Sequence, residues 1–320
     1  MLENLIKGEE VVVTGGAGFI GSNLSEVLSV HNNVTILDNF ATGRMKNIAH
    51  LLEKENVELV EGSITDLELL KKVFKDKKYI FHQGALPSVE RSVKDPLTTN
   101  NVNITGTLNV LLAARECHVE KVVFAASSSA YGETPTLPKV ETMKPSPLSP
   151  YAVTKICCEE YLRLFHELYG LRTTSLRYFN VYGPKQDPNS QYAAVIPRFI
   201  KAVMRNEPPT IYGDGKQSRD FTFIKDVLQA NLKAAVSEKC DGEVCNIATG
   251  KRITVENLAF KIIKAFGKNL KPVYAPPRPG DIKHSLADIS KAKKLMGYKP
   301  EYNIDRGLKE TITYFIEEEK

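Results

Sequence analysis

Val11–Gly21 reads VVVTGGAGFIG, and this stretch decides the fold. β-Branched, apolar residues run into a glycine cluster, and an apolar helix pattern follows at once through Phe19, Ile20, Leu24, Val27 and Leu28. Gly15, Gly18 and Gly21 have the spacing G-x-x-G-x-x-G. A strand that turns sharply into a helix leaves backbone N–H groups unpaired at the positive end of the helix dipole. Such a site takes a phosphate where no Cβ blocks the approach, hence the glycines. A second strand, Val34–Leu37, ends in Asp38, where an acid accepts hydrogen bonds from an adenosine ribose. The pattern therefore predicts a dinucleotide site. Asp38 repels a 2′-phosphate, which favours NAD over NADP, although Arg44 nearby pulls the other way.

The rest of the chain fits a large α/β protein. Its 320 residues suffice for two domains or one sizeable unit, and 42% apolar with 25% charged residues is ordinary for a globular chain. The net charge of +5 is dispersed, with no basic block of the kind a nucleic-acid arm needs. Five cysteines, Cys117, Cys157, Cys158, Cys240 and Cys245, lack C-x-x-C spacing and read as free thiols in a reducing compartment. No run reaches membrane-spanning length and the N-terminus has no signal-peptide core, so the expectation is a cytoplasmic protein with neither membrane nor nucleic-acid partner. No metal site is expected.

Beyond the glycine loop, strand-like runs at Val57–Val60, Lys78–Phe81 and Lys121–Ala125 alternate with helical patterns at Leu67–Phe74, Thr98–Cys117 and Tyr151–Tyr169. Such alternation predicts a doubly wound parallel sheet of the Rossmann type, with ligands beyond the C-terminal strand ends. Asp66 either reaches the adenine or caps the Leu67–Phe74 helix; the spacing does not choose. Gln83, Gly84 and Ala85, at another strand end, allow a pyrophosphate or ribose close to the backbone. After Leu171 prolines interrupt the pattern. A helix at Ile224–Val236 and a strand at Val244–Ile247 return to the sheet. The expected division is an NAD-binding domain over 1–176 with a return segment at about 217–248. A smaller C-terminal α/β lobe, 177–216 and 249–320, takes the substrate.

The chemistry is expected from three groups. Ser127, Ser128 and Ser129 follow a strand, and Tyr151 and Lys155 open a helix just after Pro150. Residues four apart share a helix face, so the phenol and the ammonium point the same way. A tyrosine pKa near ~10 is too high for a base at neutral pH. A nearby ammonium and the positive nicotinamide ring both stabilise the phenolate, and a serine hydroxyl relays the proton to a substrate alcohol. The combination predicts redox chemistry on an alcohol.

These residues, with TGGAGFIGSNL, LDNFATGR, SSSAYG, SPYAVTK, LRYFNVYGP, GDGKQSRDF and PPRPGD, make the chain resemble the extended short-chain dehydrogenase/reductases nearly end to end. Among them it is similar to the UDP-hexose 4-epimerases, particularly those acting on N-acetylated sugars. The resemblance implies Ser127, Tyr151 and Lys155 as catalytic triad. It implies NAD held by the glycine loop, including Phe19 and Ile20, by Asp38, Asn39, Ala41, Thr42, Gly43 and Arg44, and by Asp66, Gln83, Ala85, Asn103 and Tyr178. On the substrate side it implies the three serines, Asn180, Ala194, Val195, Tyr212 and Asp281, with Arg219 and Arg278 clamping the diphosphate as guanidinium forks can. Ser88 and Arg91 either contact the sugar or belong to a polar loop beside a helix.

Within that family, a 4,6-dehydratase uses an Asp–Glu pair after the catalytic Ser or Thr, and here Ser128 and Ser129 stand instead. Nothing in the sequence favours a decarboxylase. Ser285 aligns with a wall of the sugar pocket where a bulky aromatic excludes an N-acetyl group. The expected substrates are therefore UDP-GlcNAc/UDP-GalNAc, with UDP-Glc/UDP-Gal also accepted. A non-catalytic NAD sensor is the rival from another class; Tyr151→Phe spares a sensor and stops an epimerase. Apolar residues on more than one face of Thr98–Cys117 and Tyr151–Tyr169, together with the resemblance, imply a homodimer through a four-helix bundle.

Overall fold

The structure, a computed structural model, describes residues 2–188, 194–277 and 282–319. Seven strands make the central sheet: β1 (Glu10–Thr14), β2 (Asn33–Asp38), β3 (Val57–Glu61), β4 (Tyr79–His82), β5 (Lys121–Ser127), β6 (Arg172–Tyr178) and β7 (Glu243–Ile247). They lie in the order 7-6-5-4-1-2-3 and every neighbouring pair is parallel. The order reverses between β1 and β4. A crevice opens at the carboxyl ends of those two strands, which is where ligands settle on such sheets.

The valines of β1 show how the sheet is held. Val11 and Val13 pack with Leu24 and Leu28 of α1 (Phe19–Leu28) on one face. Val12 packs with Leu70 of α2 (Leu67–Val73) on the other. All three valines are fully buried. A strand covered on both faces must be apolar throughout, which is why β1 does not alternate. Each such side chain contributes about 1.5–3 kcal/mol by leaving water.

The helical pattern expected over Thr98–Cys117 is in fact three pieces, which follow α3 (Val89–Lys94). Helix α4 (Pro96–Asn100) starts earlier, at Pro96, with the Asp95 carboxylate accepting from Thr98 N–H. A π-helical turn covers Asn101–Thr105, and α5 (Gly106–Glu116) completes the run. Gly106 lies against Ile64, whose side chain a Cβ would approach to 2.7 Å. Periodicity does not register this turn, because one inserted residue barely disturbs an apolar stripe.

Helix α6 (Pro150–Tyr169) is bounded as its sequence requires. Ser149 Oγ accepts from Ala152 N–H, Pro150 occupies the first turn, and Gly170 closes the helix in the left-handed conformation. Glu159 of α6 grips Arg177 of β6 through two bonds of 2.9 and 2.6 Å, with both side chains buried.

Helix α7 (Val195–Met204) opens the part beyond β6, and α8 (Ile224–Val236) covers the same sheet face as α1. Helices α9 (Val255–Ala265), α10 (Ser290–Met296) and α11 (Ile304–Glu318) follow. Three two-stranded pairs join them, of which Thr210–Tyr212 with Val273–Ala275 is the longest. Buried Asp220 organises this region by accepting from Thr249 N–H and Oγ1–H, Gly250 N–H and Ala287 N–H.

Candidate active site

Gly15 has φ +67°, and a Cβ there would lie 2.7 Å from the backbone of Gly84. The loops after β1 and β4 therefore touch main chain to main chain. Above them lies a cavity of about 750 Å³, lined by Gly15, Gly18 and the first turn of α1 (Phe19, Ile20, Gly21). The positive end of α1 thus faces a space of dinucleotide size.

Asp38 lines the same cavity. Its carboxylate accepts from Ala17 N–H at 2.9 Å and Phe40 N–H at 2.8 Å. Burial raises its pKa and these N–H groups oppose the rise. Gly43 has no room for a side chain, since a Cβ would fall 2.7 Å from Asp38 Oδ1. The loop after Asp38 contributes Asn39, Ala41, Thr42 and Arg44 to the lining. Arg44 pairs with Asp187 at 3.0 Å, so its charge is already answered by protein. A dinucleotide fits this cradle, and the Asp38 carboxylate in its wall suits one without a 2′-phosphate.

Tyr151 and Lys155 also line this cavity. Lys155 Nζ donates to Ala125 O at 2.7 Å, lies 4.6 Å from the centre of the Phe124 ring and 5.9 Å from that of Tyr151. Burial lowers its pKa to about 8, against the raising effect of Cys158 and Glu159. Burial likewise raises the Tyr151 pKa, and the hydrogen bond from Ser127 pulls it back. The Lys155 ammonium donates to Ala125 O, and burial is the largest influence on the Tyr151 phenol. Ser127 ends β5 and accepts from Ser129 N–H at 3.2 Å.

A second cavity of about 520 Å³ adjoins the first. Tyr151, Tyr178, Phe19, Ile20 and Asp187 line both. Ser127, Ser128, Ser129, Asn180, Ala194, Arg219 and Ser285 line the second alone. Ser129 Oγ is buried without a hydrogen-bond partner among the described residues. Ser285 Oγ accepts from Asn180 Nδ2 at 3.1 Å, so this wall is a small side chain already held in place. Tyr178 hydroxyl meets Asn231 and Gln83, and burial pushes its pKa up to about 12. It is a neutral phenol fixed by its neighbours.

Other expected residues lie elsewhere. Asp66 is exposed and lines neither cavity; it caps α2 by accepting from Leu69 N–H, so of the two readings the cap is the one formed. Asn103 is buried beneath the cofactor cavity, where its amide bonds the main chain of Leu86 and Thr154 Oγ1. Ser88 caps α3, accepting from Arg91 N–H, and Arg91 borders the first cavity rather than the second. Val195 begins α7 and packs against the core; Tyr212 lies under Arg198. Neither lines either of these two cavities. Arg278 and Asp281 fall outside the described residues. Sequence reading missed Asp187 and Gln186, which line the second cavity from the loop after Gly183. Asp187 pairs with Arg44, far away in sequence, and Gln186 donates to Val181 O close by, so neither carries a motif that marks it.

Residues 11–248 match the model of the NAD dependent epimerase/dehydratase family. A putative UDP-glucose 4-epimerase of Methanocaldococcus jannaschii is 41% identical over 308 residues, covering 95% of this chain and 97% of that one. The solved UDP-N-acetylglucosamine 4-epimerase of Methanobrevibacter ruminantium, in complex with UDP-N-acetylmuramic acid, superposes with a TM-score of 0.94 at 44% identity, covering 98% of this chain and 100% of that one. For the UDP-glucose 4-epimerase of Thermotoga maritima with UDP-glucose the values are 0.92, 38%, 97% and 100%. With the glycine cradle, the carboxylate at the end of β2 and the paired cavities meeting at Tyr151, these matches make the chain an epimerase-type enzyme of the NAD-dependent epimerase/dehydratase family.

Proposed function

We propose that this enzyme interconverts the C4 epimers of UDP-hexoses, UDP-GlcNAc with UDP-GalNAc and UDP-Glc with UDP-Gal. The observation that carries the reading is the place of Tyr151, whose side of α6 borders both the cofactor cavity and the second cavity. Bound NAD would supply the acceptor for the hydride leaving C4 of the sugar and, once the 4-keto sugar has turned, the donor that returns it. Tyr151 takes the proton of the 4-hydroxyl and later gives it back, with Ser127 beside it as relay. Lys155 keeps a positive charge below the pair. Arg219 holds the diphosphate, so the nucleotide stays anchored while the hexose turns. Serine at position 285 leaves space for an acetamido group.

The same reading assigns cofactor binding to residues 1–176 with about 217–248, and the nucleotide sugar to 177–216 and 249–320. The site of action is the cytoplasm; no described helix is long and apolar enough to cross a membrane. The enzyme works as a homodimer. Val93 (63% exposed), Leu97 (80%) and Val153 (50%) lie outward on α3, α4 and α6, and covering them is the gain such a pairing offers.

The test is incubation with UDP-GlcNAc and, separately, UDP-Glc, without added reductant, followed by NMR. Formation of both C4 epimers supports the reading. Conversion of UDP-Glc alone overturns the role of Ser285, and conversion of neither with NAD present overturns the assignment.

A further inference from the structure

We propose that His82 is a positioning residue: held as the neutral Nε2–H tautomer, it locks the 84–86 loop of the cofactor cradle to the helix that carries Tyr151 and Lys155. His82 ends β4, is 1% exposed and lines neither cavity. The part of this claim that concerns turnover rests on the epimerase reading above; the part that concerns the tautomer and NAD does not.

The tautomer follows from counting protons. Thr107 Oγ1 donates its single proton to Asn103 O at 2.6 Å, so toward His82 Nε2, 3.0 Å away, it accepts. His82 therefore carries its proton on Nε2. The other ring nitrogen, Nδ1, accepts from Thr14 Oγ1 at 2.7 Å. Thr14 Oγ1 in turn accepts from Gly84 N–H at 3.2 Å. A charged ring would offer two donors, leaving the Thr14 proton without this acceptor. Burial, with Lys155 nearby, lowers the His82 pKa to about 3, so the neutral form persists at any working pH.

The chain continues beyond Asn103. Its amide accepts from Leu86 N–H at 2.8 Å and donates to Leu86 O at 3.2 Å and Thr154 Oγ1 at 3.1 Å. Thr154 Oγ1 donates to Tyr151 O at 2.7 Å. The π turn at Asn101–Thr105 serves this circuit by presenting Asn103 O to both Thr107 and Cys158 Sγ. One line of hydrogen bonds, buried between its two ends, thus runs from Gly84, which packs directly under Gly15, to the main chain of Tyr151. His82 is its only ring and spans the widest gap.

The test compares His82→Phe, which removes donor and acceptor, with His82→Gln, whose amide restores one of each. We expect the folded Phe variant to bind NAD+ about tenfold more weakly and to turn over about tenfold more slowly at unchanged KM for the UDP-sugar. The Gln variant should recover both to within about threefold. In the wild-type protein, ring 15N shifts should report Nε2–H without titration between pH 5 and 9. A Phe variant equal to wild type in NAD+ affinity and turnover overturns the proposal, as does an Nδ1–H ring. If the Phe variant does not fold, Thr107→Val breaks the same link in the same shape and is held to the same outcomes. Because the tautomer and NAD+ affinity are read without substrate, a wild-type enzyme that fails to epimerise would sink the functional reading and leave this one standing.

Discussion

Replacing Lys155 by methionine should stabilise the cofactor-free protein while stopping turnover. Burial lowers the Lys155 pKa from 10.5 to about 8, and that shift measures what the fold spends on keeping an ammonium out of water. At 1.36 kcal/mol per unit the burden is roughly 3 kcal/mol at neutral pH. Methionine fills the same space without the charge, but the charge-assisted bond to Ala125 O is lost, at about 1.5–3 kcal/mol. The net gain expected is at most about 1.5 kcal/mol at pH 7. Its pH dependence has a definite sign. Below about 8 the lysine is charged in both states and the burden is full. Between about 8 and 10.5 the folded protein binds fewer protons than the unfolded, so wild-type stability rises with pH and the advantage of methionine shrinks. Urea denaturation of both proteins at pH 7 and pH 10 reads this directly. A variant less stable than wild type at pH 7, or an advantage that does not shrink by pH 10, refutes the reasoning. Turnover should fall about 10²–10³-fold, the usual cost of removing one preorganised charge-stabilising group.

Glu159→Ala strands the buried Arg177 guanidinium and should cost about 3–5 kcal/mol in urea melts, whereas replacing both partners by apolar residues should be nearly neutral. Asp187→Asn frees Arg44 at the ribose end of the cofactor cavity. Calorimetric titration should then find NADP+ binding about fivefold tighter, with NAD+ little changed. Ser285→Tyr should lower turnover of UDP-GlcNAc about 100-fold and spare UDP-Glc, because the added ring fills the wall of the second cavity.

The parts of this protein legible in its sequence are those set by local patterning. The G-x-x-G-x-x-G turn gave the cradle, because a glycine that packs on another backbone leaves no alternative residue. The helix Ile224–Val236 has the expected ends, and β2 ends at Asp38 as expected. What local patterning misses is decided at long range. Asp66 was open between two roles until the N–H of Leu69 was seen to occupy its carboxylate. Asn103 belongs beneath the cofactor cavity because a π turn shifts its side chain toward Leu86 and Thr154, and no period reports such a turn. The Tyr151–Lys155 spacing correctly placed both on one cavity. It does not report that burial raises the pKa of the phenol and lowers that of the ammonium, since burial is a property of the folded chain.

In the proposed mechanism the hydride taken from C4 returns to the same carbon within one active site. The most direct measurement is incubation of the enzyme with UDP-GlcNAc deuterated at C4, in ordinary water without added NADH, followed by NMR and mass spectrometry of both epimers. UDP-GalNAc should carry the full deuterium label at C4. Product in which the label has been exchanged for solvent hydrogen would contradict it.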